Sequence, residues 1–270
     1  MHILICSKRD LVSSRMLNLM LPALAGGHRV SLLLINRYRP QVDLVPGLVA
    51  LRDAEELFPN RVLFPHLEGC THDAALLPIG RLCARHGVQV IEGDGFGKAA
   101  RSALIERLAP DLLLAVKYGY LFTADDLAVP VHGALNLHSG PLPERPGLHA
   151  LLRAMIAGER LGRLTVHRLV ADLDRGPVVA REAIVLDYGR SYFFNTMRLY
   201  DEGAAAMVRA VAAIAEGGRL PEEEQAGTPG PYLGLPDARE LEGLARRGCE
   251  LVAARDLIEA VSPYLETAPR

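Results

Sequence analysis

Short apolar runs alternate with stretches long enough to be helices along the first half of the chain, and this alternation limits the fold more than any other feature. His2 to Cys6 reads as a buried strand, Val12 to Leu24 as a helix stopped by Gly26 and Gly27, and Arg29 to Ile35 as a second strand. Further apolar runs at Val88 to Ile91, Asp111 to Val116 and Gly133 to His138 alternate with helical patterns around Asp73 to His86, Gly97 to Leu108 and Leu148 to Ala157. Strand, helix, strand at this spacing predicts a Rossmann-like α/β fold with a mostly parallel sheet, because parallel neighbours need a crossover between them.

The pattern then changes. Leu164 to Val170 and Val178 to Leu186 are two β-like runs separated only by residues 171–177. That gap allows a turn but no crossover helix, so an antiparallel addition to the parallel sheet is expected. An alanine-rich helical pattern follows from Ser191 to Gly217, and the Gly, Pro and Glu-rich stretch Gly218 to Gly234 reads as a linker. Two short helices are expected at Ala238 to Arg247 and Ala254 to Tyr264, which divides the chain into a catalytic domain over 1–217 and a small helical extension over 218–270.

With 270 residues and a formal net charge of -2, the chain can bury a sizeable core and carries no strong basic bias toward nucleic acid. The apolar start breaks off at Ser7, Lys8, Arg9 and Asp10, and no later run reaches the roughly 18 apolar residues of a membrane span, so a cytoplasmic protein is expected. Cys6, Cys70, Cys83 and Cys249 form no CxxC pair and read as buried thiols. His66, Glu68, Cys70 and His72 would share a face only in an extended conformation, and with no matching ligands elsewhere no metal is expected. Tyr192, Phe193 and Phe194, near the start of the long helix, read as core.

In open α/β sheets chemistry gathers at the carboxyl ends of strands. Asn136 and His138 stand at one such end and, two residues apart, project from the same face. The following segment, 139–147, holds three prolines and two glycines and forms a stiff wall beside the imidazole. Taken singly, the two side chains could merely satisfy backbone groups and pack under a loop.

The wider pattern resembles the formyltransferase family. Asn136-Leu137-His138, Leu142-Pro143, Gly147 and the helix ending near Ala157-Gly158-Glu159 form one signature. Thr165-Val166-His167, Asp174-Arg175-Gly176 and Pro177-Val178-Val179 form a second. Similarity extends from about Leu108 to Leu186, and the first hundred residues match in architecture. The resemblance implies transfer of a formyl group from 10-formyltetrahydrofolate to an amine, with Asn136, His138 and Asp174 as catalytic residues. It implies a folate pocket at Gly119, Tyr120, Leu121, Val170 and Asp172. Asp172 competes with Asp174 for the catalytic role, and the position directly before the x-Gly pair favours Asp174.

Some residues depart from the family pattern. The first strand is followed by 7–14 without a glycine, where glycinamide ribonucleotide formyltransferases carry a glycine-rich phosphate loop, although Lys8 and Arg9 could still attract an anionic part of the substrate. Gly140 and Pro141 stand where Ser and Leu are common, which assigns Pro141 to the substrate side. Lys117 is expected to face solvent at a strand end. About fifty residues follow Gly217, too few for the barrel that helps methionyl-tRNA formyltransferases hold tRNA, and Glu222-Glu223-Glu224 would repel phosphates. A small-molecule amine is therefore the expected acceptor, with no nucleic-acid partner and no membrane, and a homodimer is compatible with this reading. A hydrolase releasing formate from the same folate, and a non-catalytic folate-binding protein, are the alternatives.

Overall fold

The computed structural model describes residues 1–36, 44–70 and 74–266. Its strands are β1 (His2–Lys8), β2 (Arg29–Ile35), β3 (Gln89–Glu92), β4 (Leu112–Val116), β5 (Ala134–His138), β6 (Leu161–Arg168) and β7 (Val178–Val185). They form one seven-stranded sheet in the order β3-β2-β1-β4-β5-β6-β7. β1 to β5 pair in parallel, β6 adds antiparallel to β5, and β7 antiparallel to β6. The predicted Rossmann-like sheet with its antiparallel addition is thus the observed one. From β1 the chain moves outward to β2 and β3, then crosses back to β4, so the strand order reverses between β1 and β4 and opens a crevice at their carboxyl ends.

The helices are α1 (Leu11–Ala25), α2 (Pro46–Arg52), α3 (Phe64–Glu68), α4 (Ile79–His86), α5 (Lys98–Leu108), α6 (Ala124–Ala128), α7 (Ala150–Ala157), α8 (Tyr192–Ala215), α9 (Ala238–Ala245) and α10 (Ala254–Leu265). α1 begins where Asp10 accepts a hydrogen bond from the Ser13 amide and ends at Gly26. The predicted helix starting at Asp73 starts at Ile79, behind Pro78, and Asp73 itself lies outside the described residues. Between α2 and α3 the backbone makes two wide turns, Asp53–Leu57 and Pro59–Leu63, closed by i→i+5 bonds from Phe58 to Asp53 and from Phe64 to Pro59. No sequence signal announced them.

Alternation along the strands supplies a core to each face of the sheet. One face buries Ile3, Ile5, Leu32, Leu34, Leu112, Leu114, Leu135 and Leu137 under α1 and α8. The other buries Leu4, Cys6, Leu33, Leu113, Ala115 and Ala134 with Leu104 and Ile105 of α5. Tyr192 and Phe193 are core residues as expected, while Phe194 lies partly exposed under the Arg190 guanidinium, 3.6 Å from its ring centre. Cys6, Cys83 and Cys249 are buried thiols and Cys70 is half-buried.

The C-terminal helices lie against this body. Tyr264 of α10 is fully buried, with its hydroxyl 2.9 Å from that of Ser14 on α1. The stretch 218–234, expected as a linker, is bonded to the sheet and its loops at several points, including a bridge between Glu223 and Val178. Among the described residues no helix is long and apolar enough to cross a membrane.

Candidate active site

β5 delivers Asn136 and His138 to one face of the sheet, the face of the smaller core, because Asn136 stands beside Ala115 in the register and alternates with Leu135 and Leu137. Across the strand pair, Asn136 faces His167 of β6 and His138 faces Thr165. A bulge at Val166/His167, where β7 carries one extra residue, adjusts His167 at this point of the ladder. The loop after His138 is fixed by Thr165, whose hydroxyl donates to the Gly140 carbonyl at 2.8 Å and accepts from the Leu142 amide at 3.2 Å.

Asp174 completes the group. It lies in the turn between β6 and β7 with φ +57, a left-handed conformation uncommon for a residue with a side chain, and is 7% exposed. Its Oδ2 accepts the Gly147 amide at 3.1 Å. The same Oδ2 is 3.8 Å from His138 Nδ1, and Oδ1 is 3.8 Å from His167 Nε2. Both separations exceed hydrogen-bond distance.

The protons on the two imidazoles follow from their partners. His138 Nε2 lies 2.7 Å from the Arg145 carbonyl, which can only accept, so Nε2 carries a proton and Nδ1 is the ring nitrogen turned toward Asp174. His167 Nδ1 donates to the Arg168 carbonyl at 2.8 Å, and its Nε2 accepts from the Asn136 amide at 3.0 Å. Burial drives the His167 pKa down to about 4, against the opposing pull of Asp174. Asn136 keeps a second amide hydrogen for another acceptor. His167 was quoted in the sequence only as part of a signature, and its place opposite Asn136 becomes legible once β5 and β6 are paired.

The residues read as folate-binding sit on two loops. Gly119, Tyr120 and Leu121 follow β4, where Tyr118 stacks on Phe122 with centroids 5.2 Å apart, Tyr120 meets Tyr118 edge-on, and Leu121 is 66% exposed. Val170 and Asp172 follow β6 and are exposed. Tyr118, Phe122 and Leu169 all pack against the smaller core, so both loops are anchored on the same sheet face as Asn136 and His138. Asp172 is exposed whereas Asp174 is buried beside the imidazoles.

The residues at the amino-terminal half of the sheet lie differently. Lys8 at the end of β1 is ion-paired with Glu56, and Arg9 with Glu92. Lys117 at the end of β4 is not the solvent-facing lysine that its strand-end position suggested. Its ammonium lies 2.8 Å from Asp10 and 3.0 Å from Glu55, with the side chain 15% exposed. The reason is the segment 46–68, which carries Glu55 and Glu56 into the crevice. Burial lowers the lysine pKa, but the two carboxylates outweigh it and hold Lys117 above its usual range. Burial pushes Glu56 up to about 7, partly offset by Lys8. His149, φ +53, touches the Tyr192 hydroxyl at 3.2 Å, and burial together with Lys117, Arg153 and Lys8 lowers its pKa to about 4. Pro141, on the substrate side in the sequence reading, is half-buried directly after Gly140.

His66 and Glu68 fall in or at the end of helix α3, so they do not share a face, and His72 lies outside the described residues. Among the described residues no three potential metal ligands come together.

Residues 82–211, the segment that carries Asn136, His138, His167 and Asp174, match the family model described as formyl transferase. Among its relatives are methionyl-tRNA formyltransferases of Halorhodospira halophila, 32% identical over 54% of this chain and 47% of that protein, and of Magnetococcus marinus, 25% identical over 69% and 59%. The chain therefore spans about half the length of the curated relatives it matches. The fold is also that of glycinamide ribonucleotide transformylase 1 from Symbiobacterium toebii, with TM-score 0.57, 21% identity and coverage of 83% of this chain and 94% of that one. It is shared too by an N-formyltransferase from Helicobacter canadensis, solved with folinic acid and dTDP-3-aminofucose, with TM-score 0.53, 10% identity and coverage of 87% and 71%.

Proposed function

We propose that the chain is an N-formyltransferase that moves a formyl group from 10-formyltetrahydrofolate to the amine of a small acceptor. The observation that carries this reading is the convergence of Asn136, His138 and Asp174 at the end of β5, inside the segment that matches the family. The bound folate would supply the formyl carbon and leave as tetrahydrofolate: a bond forms from the amine nitrogen to that carbon, the bond to the folate nitrogen breaks, and one proton passes from the first nitrogen to the second.

The residues present suit that donor. The second amide hydrogen of Asn136 is free to meet an oxygen on which negative charge develops. The exposed Leu121 and Val170, with the aromatic group Tyr118, Tyr120 and Phe122, offer apolar surface to a flat ring system. Gly119 and Asp172 complete the two loops assigned to the folate.

His138 Nδ1 and Asp174 Oδ2 face each other across 3.8 Å, and with the imidazole neutral both are acceptors. An amine entering there donates N–H to both, which orients its lone pair and gives the departing proton an acceptor. His138 then returns that proton toward the leaving nitrogen, with Asp174 stabilising the imidazolium. In this scheme residues 1–217 are the catalytic unit and 218–270 its C-terminal extension, and Pro141 borders the acceptor.

Lys8 and Arg9 are each already held by a carboxylate, which favours an acceptor that does not depend on a phosphate at the end of β1. A tRNA-borne amine is the second reading, favoured by the sequence relatives, which are methionyl-tRNA formyltransferases. The test is a screen with 10-formyltetrahydrofolate against amino sugars, their nucleotide conjugates, amino acids, hydroxylamine and methionyl-tRNA, reading the mass gain of one formyl group. Transfer to a small amine is expected. Modification of methionyl-tRNA alone would establish the second reading, and formate release without any acceptor dependence would replace transfer by hydrolysis.

A further inference from the structure

The stretch 223–233 passes over both loops that form the candidate active site and bonds to each. Val178 and Glu223 exchange two backbone hydrogen bonds, of 2.8 and 2.9 Å, at the foot of the Asp174 turn. Gln225 then reaches into the turn, and its Nε2 donates to the Asp174 carbonyl at 2.9 Å and to the Gly176 carbonyl at 2.8 Å. Farther on, the Gly230 amide donates to the Pro143 carbonyl at 3.0 Å, and the Leu148 amide donates to the Leu233 carbonyl at 2.8 Å. The approach is close enough that a Cβ on Gly230 would collide with the Glu144 carbonyl and one on Gly147 with Leu233.

Asp174 is therefore held from two directions. Its backbone, in a left-handed conformation that a residue with a side chain seldom adopts, is fastened by Gln225. Its carboxylate is fastened by the Gly147 amide, and Gly147 is in turn bridged to Leu233. The direction in which the carboxylate points depends on the backbone angles of the turn. Gln225 is the one side chain of this stretch whose donor bonds to both Asp174 and Gly176 among the described residues.

We propose that Gln225 is a positioning residue for the reaction: its side-chain amide fixes the Asp174 turn so that the carboxylate lies between His138 and His167. This inference rests on the reading of Asp174 as part of the formyl-transfer site. Gln225 lies outside the segment 82–211 that matches the family.

The test uses the full chain carrying Gln225→Met, which keeps length and removes the donors, with 10-formyltetrahydrofolate as donor and hydroxylamine as acceptor probe. A small misplacement of a reacting group is costly, so kcat is expected to fall about tenfold or more while KM for the folate stays unchanged. In 15N-histidine spectra, the His138 and His167 resonances are expected to move in the same direction as in Asp174→Asn. A strap that merely stabilised the fold would lower the melting temperature without moving either readout. Should Gln225→Met not fold, Gln225→Asn, which withdraws the amide by one methylene, is expected to give the same two changes. Unchanged kcat, or imidazole resonances that superimpose on those of the wild type, overturns the proposal. A wild type that transfers no formyl group but shows the Gln225-dependent resonance change would instead overturn the formyl-transfer reading and leave the positioning of Asp174 intact.

Discussion

Two polar clusters stand at the carboxyl ends of the same sheet, and they use their charges in opposite ways. In the crevice between β1 and β4, Lys8 and Lys117 meet Asp10, Glu55 and Glu56 in direct ion pairs. At the end of β5, Asp174 stands 3.8 Å from each of two imidazoles and bonds to neither. The first cluster is held together by its own ion pairs. The second leaves Asp174 beside two imidazoles that it does not bond, at distances that a small polar group could bridge. The strand reversal alone would point to the crevice as the binding site. The chemistry points two strands away.

The largest effect expected of this contrast is on rate. His138→Ala and Asp174→Asn should each lower kcat for formyl transfer by about 10²–10⁴-fold, with the fold intact by circular dichroism. Equal rates in either variant would dissolve the distinction between the clusters. Next in size is a change in stability without a change in chemistry. Lys117→Met leaves the buried Asp10 and Glu55 carboxylates without their ammonium, and should cost about 3–5 kcal/mol in urea unfolding while kcat of the folded protein is kept.

A subtler distinction lies in pH. Glu56 has a folded pKa of about 7, above its ordinary value of 4.5. The folded state therefore holds this proton more tightly than the unfolded one between those two values. The stability it contributes is fully present below pH 4.5 and is lost as pH rises through about 7. Glu56→Gln should flatten the stability–pH curve in that interval, and a curve of unaltered slope would show that Glu56 is charged throughout. Smallest is the expectation for His149, whose pKa near 4 leaves it neutral at physiological pH. His149→Asn, a residue that tolerates the left-handed backbone, should leave the shape of the pH–rate profile unchanged between about pH 6 and 8.

Much of the sheet was readable because its strands are buried on both faces, so that their apolar runs stand out, and because Gly26 and the short gap at 171–177 punctuate the pattern. Asn136 and His138 were legible as same-face neighbours at a strand end, whereas Asp174 was picked out through the resemblance to the family signature and not through spacing. Lys117 was misjudged for a physical reason. Whether a strand-end lysine meets water or carboxylates depends on what packs above it, and Glu55 comes from a segment of wide helical turns with no periodicity to announce it. His167 and Gln225 escaped for a related reason, since their partners lie 31 and 51 residues away. The stretch 218–234 looked like a linker because its Gly and Pro content suggested freedom, whereas Gly230 there serves close backbone approach to the loop at Glu144.

The stretch that fastens the Asp174 turn comes after every strand of the sheet in the order of synthesis. A ribosome releases the chain from its amino end, so the sheet, with Asn136 and His138 in place, can form before Gln225 and Leu233 have emerged. If Gln225 fixes the Asp174 turn as proposed, that carboxylate takes up its final position only after residues 223–233 have been made, later than the strand that carries Asn136 and His138.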